Sequence, residues 1–151
     1  MLRKLKLLIV PFSILLTFSH ISTLASSLGR LPSSIASDQW NVIIGKADSE
    51  NQKENKSDRP DIYNVYSMDI KNIGDKNVNL VRIEAYRDEP NIKTEYELFT
   101  TESNRLLTPS FHHNNFPLST KATKLKVVVT WTKEDRKNSQ RKYQEEFIFN
   151  Q

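Results

Sequence analysis

Apolar and polar side chains alternate with a period of two through much of the chain after residue 61, which is the mark of strands that bury one face. The clearest case lies near the C-terminus. Leu125, Val127, Val129 and Trp131 recur at every second position of LKVVVTWT. After the polar KEDRKNSQ, the segment RKYQEEFIFN sets Tyr143, Phe147 and Phe149 against Lys142, Gln144 and Glu146. These two runs predict a hairpin, with Glu145 as a polar break in its apolar face. A second pair lies upstream. In IYNVYSMDIKN, Ile62, Tyr66, Met68 and Ile70 share one face and Tyr63 and Val65 the other. In VNLVRIEAYR, Val81, Ile83 and Ala85 alternate with Arg82, Glu84 and Tyr86. Between them NIGDKN carries turn chemistry: Gly74 is suited to positive φ, and Asp75 and Asn77 are good turn formers, so a hairpin is expected here too.

Elsewhere the pattern is less regular. Gln39 to Lys46 reads as a short apolar strand. Ile92, Thr94, Tyr96 and Leu98 alternate as in a strand, while Ile92, Tyr96 and Phe99 also fit one face of a helix; the neighbouring β-signals favour the strand. Residues 103–122 read as a long connection holding two prolines, with a short strand at Arg105 to Thr108. Residues 47–60 carry almost nothing apolar and read as an exposed loop. No internal repeat is visible. Six or seven short strands and no helix predict an all-β domain, a small antiparallel Ig-like β-sandwich without a disulfide, with a small open barrel as the alternative.

The first 25 residues have a different character. Arg3, Lys4 and Lys6 form a positive start, Leu7 to Phe18 an apolar run, and Ala25, Ser26 and Ser27 a small-residue region, as in a cleavable signal peptide. A cut after Ala25 places Thr23 and Ala25 at the −3 and −1 positions; a cut after Ser27 is the other choice. As a helix the run reaches roughly 18 Å, against a hydrocarbon core of about 30 Å, so a membrane anchor is the less favoured reading. The expected organisation is a signal peptide over 1–25, a flexible mature N-terminus over 26–38 and one β-sandwich domain over 39–151.

Removing that segment changes the electrostatics. The chain has 22 Lys and Arg against 18 Asp and Glu, but three of the cations and none of the anions precede residue 26. The mature part therefore holds 19 cations against 18 anions, a net charge of +1, and the argument for a nucleic-acid partner disappears. With no cysteine in the chain, the fold must rest on its apolar core, which a domain of this length can supply. An exported domain without disulfides fits a bacterial source better than an animal one. Asn55-Lys56-Ser57 matches a glycosylation sequon, a triplet expected by chance in a chain rich in Asn and Ser.

Around the upstream turn, Asn72, Gly74, Asp75 and Val78 stand in a distinctive order. The segment NIGDKNV resembles the strand–turn–strand of extracellular Ig-like modules of Gram-positive bacteria, in which a polar strand ending in Asn-x-Gly-Asp precedes a short apolar one. The resemblance implies an exported, mostly noncatalytic part that binds partners or supports neighbouring proteins. It implies no catalytic residues.

Candidate chemistry is sparse. His112 and His113 are the histidines left after cleavage, flanked by Phe111 and Phe116. Adjacent histidines on a loop could hold a divalent metal or exchange protons near neutral pH. A zinc site needs three or four ligands, and no cysteine, HExxH or third histidine completes one, so a polar loop tip is the simpler account. Glu95 with Glu145 or Glu146 could be a glycosidase pair, but strand alternation places them in solvent and a small sandwich offers little cleft. No GxSxG elbow or phosphate-cradling loop is present. Trp40 and Trp131 with Tyr63, Tyr66, Tyr86 and Tyr96 could form a platform for ligand, though strand aromatics are more often core. The stretch Phe111 to Phe116 is the better contact, because apolar residues on an exposed loop suit a partner.

The sequence thus predicts a secreted, noncatalytic binding protein with contact residues Phe111, His112, His113 and Phe116, no cofactor and no membrane insertion after cleavage. Its partner would be an extracellular protein or a cell-envelope component. Two alternatives remain: a small secreted hydrolase or metal-dependent enzyme using His112 or His113, and a membrane-tethered envelope accessory subunit held by an uncleaved N-terminal segment.

Overall fold

The computed structural model describes residues 23–47, 59–103, 110–133 and 141–151. The expected signal peptide up to residue 22, residues 48–58 of the expected exposed loop over 47–60 with their sequon, the expected short strand at Arg105 to Thr108 and residues 134–140 of the expected polar turn lie outside the described residues. Within them the chain forms β1 (Thr23–Ser27), β2 (Ser33–Ala36), β3 (Trp40–Lys46), β4 (Tyr63–Asn72), β5 (Val78–Arg87), β6 (Tyr96–Glu102), β7 (Ser110–Ser119), β8 (Lys124–Lys133) and β9 (Lys142–Asn150). They build two sheets. One has the order β1-β9-β8-β5-β6 and the other β2-β3-β4-β7. All neighbours pair antiparallel except β1 and β9, which run parallel.

The expected β-sandwich is therefore present, with nine strands among the described residues instead of six or seven. Its core lies between the sheets, where the inward residues of each strand meet. Val42 and Ile44 of β3, Met68 and Ile70 of β4, Leu125, Val127 and Val129 of β8, and Phe147 and Phe149 of β9 are all fully buried. Trp40 of β3 meets Trp131 of β8 edge to face with ring centroids 5.9 Å apart, so the two tryptophans join the sheets. The predicted β8–β9 hairpin forms in register from Lys124 opposite Asn150 to Thr132 opposite Lys142. Its polar break is satisfied: the Ser37 hydroxyl donates to the Glu145 carboxylate and accepts from the Gln39 and Trp40 amides at 3.1 and 3.0 Å.

The upstream hairpin does not form. β4 and β5 stand in opposite sheets, so the turn between them crosses the sandwich. Five residues, Ile73 to Asn77, separate the strands. At about 3.3 Å per residue they reach roughly 16 Å, more than the ~10 Å between packed sheets. The crossing is held by Gln39, whose carbonyl accepts from the Ile73 and Gly74 amides at 2.9 and 3.2 Å and whose side chain donates to the Asp75 carbonyl at 3.0 Å. Gly74 does not adopt positive φ. It is glycine because a Cβ there would lie 2.5 Å from the Asp38 carbonyl oxygen and 3.0 Å from Gln39 Cα.

Two further expectations are corrected. Residues 26–38 are not a free tail: the end of β1, the following turn and β2 belong to the sandwich, with Leu28, Ser33 and Ile35 buried. The tail reading failed because its small serines leave too few apolar residues to show a period. The long connection at 103–122 is likewise a ten-residue strand over Ser110–Ser119, which pairs with β4. The stretch after Pro90 is strand from Tyr96 onward, not helix.

Candidate functional site

β7 owes its shape to a bulge. Met68 of β4 stands opposite His113 and Tyr66 opposite Phe116, so Ser67 alone faces both Asn114 and Asn115. The extra residue shifts the alternation by one. Before the bulge Phe111 and His113 point toward the core; after it Phe116 and Leu118 do, the latter two buried to 2% and 0% exposure. His112 falls on the other face of the strand, in solvent.

The four sequence-predicted contact residues thus lie on one strand but not on a loop, and they do not converge. Phe116 is core and packs on Tyr66 with centroids 6.0 Å apart. His112 pairs across the sheet with Asp69, its Nδ1–H donating to Asp69 Oδ1 at 2.9 Å, with both side chains about two-fifths exposed (43% and 40%). His113 points inward and is half-buried among aromatic rings. Its ring centroid is 4.4 Å from that of Phe99 on β6 and 6.0 Å from that of Phe116. Phe99 also stacks on Phe111 at 6.4 Å. Burial, and then the charge of neighbouring His112, holds the His113 imidazolium below its ordinary value of 6.5. Its Nδ1 is buried without a hydrogen-bond partner.

β6 and β7 are the terminal strands of their respective sheets. Phe99, Phe111 and His113 therefore close the open side of the sandwich where these two edges approach. Phe99 escaped the sequence reading because it fell in the segment open to helix or strand; only the strand assignment of both β6 and β7 brings it to the histidine.

The other candidates resolve into structural roles. Trp40 and Trp131 are core, and Tyr143 stacks on Trp131 at 5.8 Å. Glu95 forms ion pairs with Lys124 and Lys126, and Glu145 is held by Ser37. On the outer face of the larger sheet, Glu84 is 8% exposed and accepts from the Tyr86 hydroxyl at 2.6 Å and from Arg82 at 3.1 Å. That hydrogen bond, helped by burial and the Glu84 and Glu97 charges, pushes the Tyr86 phenol up to about 12. The spacing Arg82-Glu84-Tyr86 on one strand face was the signal for this network. Among the described residues no three His, Asp or Glu side chains gather to hold a metal ion, and no helix is long and apolar enough to cross a membrane.

Fold and site together define a cysteine-free β-sandwich with an aromatic-lined edge between its two sheets. The chain belongs to the family described as YozF-like secreted protein, which matches residues 24–151. It is accordingly a secreted protein. It is similar to the Bacillus subtilis (strain 168) protein named "Uncharacterized protein YozF", with 33% identity over 131 residues, covering 77% of this chain and 78% of that one. No solved structure is a significant match.

Proposed function

We propose that this secreted protein is a noncatalytic binding module that captures an extracellular protein or cell-envelope component at the β6–β7 edge. The observation that carries this reading is a terminal strand, β7, that presents an exposed His112–Asp69 pair on one face and half-buried Phe111 and His113 on the other. A strand at a sheet edge offers main-chain hydrogen bonds to an added strand, and partly covered aromatic rings beside it supply the anchors. In this reading the sandwich works as the Ig-like modules it resembles around Asn72 to Val78 do, by binding.

The absence of catalysis in this proposal rests on side-chain direction. His112 and His113 lie on opposite faces of one strand and cannot act together on one group, and Glu95 and Glu145 are each engaged by their own partners. Contact is assigned to Phe111, His112 and His113, with Phe116 as the buried support beneath them.

Capture tests the proposal. The processed protein is immobilised and exposed to extracellular and envelope extract, and bound material is quantified. Phe111→Ala with His112→Ala is expected to abolish capture while lowering the melting temperature less than Phe116→Ala does, because Phe111 is only partly buried on the core. Phe116→Ala instead costs about 3–5 kcal/mol of stability, as a buried Phe should. Undiminished capture by the folded Phe111→Ala, His112→Ala protein removes the assignment of the site to this edge.

A further inference from the structure

Before residue 30 the chain offers four places that suit a signal peptidase, which requires small residues at −1 and −3: Ala25 with Thr23, Ser27 with Ala25, Gly29 with Ser27, and Ser19 with Thr17. A cut after Gly29 would remove β1 and the buried Leu28 together. The first two places lie inside β1. That strand pairs with β9 residue for residue, from Thr23 opposite Glu146 to Ser27 opposite Asn150. The pairing continues into the turn, where the Leu28 amide donates to the Asn150 carbonyl at 2.7 Å and the Leu28 side chain is 6% exposed. The hydroxyls of Ser26 and Ser33 meet at 3.1 Å and tie β1 to β2.

A cut after Ala25 removes Thr23, Leu24 and Ala25 and uncovers β9 from Glu146 to Ile148. The exposed row of main-chain groups is a template for unwanted strand pairing. A cut after Ser27 removes the whole strand and places the new ammonium on Leu28, whose side chain is in the core, where an added charge is costly. An independent observation points the same way: the similarity to YozF-like secreted proteins begins at residue 24, ahead of both cuts.

We infer that the scissile bond lies upstream of β1, at Ser19–His20, and that residues 23–27 are the first strand of the mature protein and not the end of its leader. The leader so defined keeps every part such a segment needs. Arg3, Lys4 and Lys6 give the charged start, Leu7 to Leu16 give an apolar run of ten residues, and Thr17 and Ser19 give the small pair. Hydrolysis at this bond consumes one water and leaves a carboxylate on Ser19 and an ammonium on His20.

The full-length precursor is expressed in a secreting bacterial host, and the protein in the medium is read by intact mass and N-terminal sequencing. The expected first residue is His20. A first residue of Ser26 or Leu28, a start from the cut after Gly29, or an unprocessed Met1 overturns the inference. Two variants separate processing from folding, since the precursor-to-product ratio is read on the whole cell sample. Ser19→Tyr is expected to accumulate precursor at least several-fold, and Ala25→Tyr, at an exposed position, to be processed like the parent. The reverse pattern overturns the inference.

Discussion

At the scale of single residues, His113 is the group most exposed to a change of conditions. The folded protein favours its neutral form, because the imidazole is half-buried against Phe99, Phe111 and Phe116 and beside His112. Its folded pKa lies below 6.5, so the unfolded chain binds more protons in the interval between the two values. The contribution to stability is complete above about 6.5 and is lost as pH falls through the lowered folded value. Asp88 and Glu95 do not obscure this interval. Burial pushes Asp88 and Glu95 up, but the Thr123 hydroxyl and the Thr123 and Lys124 amides hold Asp88 below 3.8, and Lys126 and Lys124 hold Glu95 below 4.5. Those two groups therefore withdraw stability only in stronger acid. His113→Phe keeps an aromatic ring in the cluster and removes the titration. The drop in melting temperature between pH 7 and pH 5 should be smaller in that variant than in the parent. An equal drop in both proteins would assign the acid sensitivity to another group.

At the scale of elements, legibility depended on whether a strand keeps its phase. β8 and β9 keep one phase throughout, and their hairpin, their inward residues and the polar exception at Glu145 are visible in the sequence. β7 has fewer apolar residues and switches its inward side chains from odd positions at Phe111 and His113 to even ones at Phe116 and Leu118, so a period-two search finds no strand there. β5 hides a similar break: Val78 and Leu80 are buried before its register shift and Ile83 and Ala85 after it, whereas Val81 had been grouped with the buried face. The β4–β5 turn was misjudged for another reason. Asn72, Gly74, Asp75 and Asn77 specify that the chain turns, but not which sheet receives the next strand; the contacts of Gln39 decide that. The candidate site shared the fate of β7: its residues could be named, but their faces could not be assigned before the bulge was known. The bulge itself is testable. Deleting Asn115 leaves Ser67 opposite Asn114 alone, so a regular strand keeps Phe111, His113, Phe116 and Leu118 on one face with the β4 pairing unchanged on either side. The deletion should therefore give a soluble protein with a single cooperative thermal transition, and loss of that transition would show that the bulge does more than set the phase of β7. Asn115→Ala, which keeps the residue count, should fold, because its side-chain oxygen is buried without a partner and contributes no bond.

At the scale of the whole molecule, the order of strands leaves no half that could stand alone. β2, β3 and β4 lie in one sheet, β5 and β6 in the other, β7 returns to the first, and β8 and β9 to the second, while β1 joins the C-terminal strand. Each sheet is therefore completed by distant parts of the chain, and neither has a disulfide to hold it when its partner leaves. Separating the sheets would expose Trp40, Met68, Ile70, Val127, Phe147 and Phe149 together, all fully buried now. Burial of each such side chain is worth about 1.5–3 kcal/mol, so opening even part of the interface approaches the ~5–15 kcal/mol that a whole domain has in hand. Loss of sheet-to-sheet packing and loss of strand structure should consequently be one event. The two probes needed are built in. Trp40 and Trp131 belong to opposite sheets and touch at 5.9 Å, so their fluorescence reports the packing, while far-ultraviolet circular dichroism reports the strands. The two signals should give coincident transitions in urea, with a single midpoint and slope. Were tryptophan emission to shift at lower denaturant than the loss of β-signal, the sheets would be separable units, and the interleaved topology would not be what holds this cysteine-free domain together.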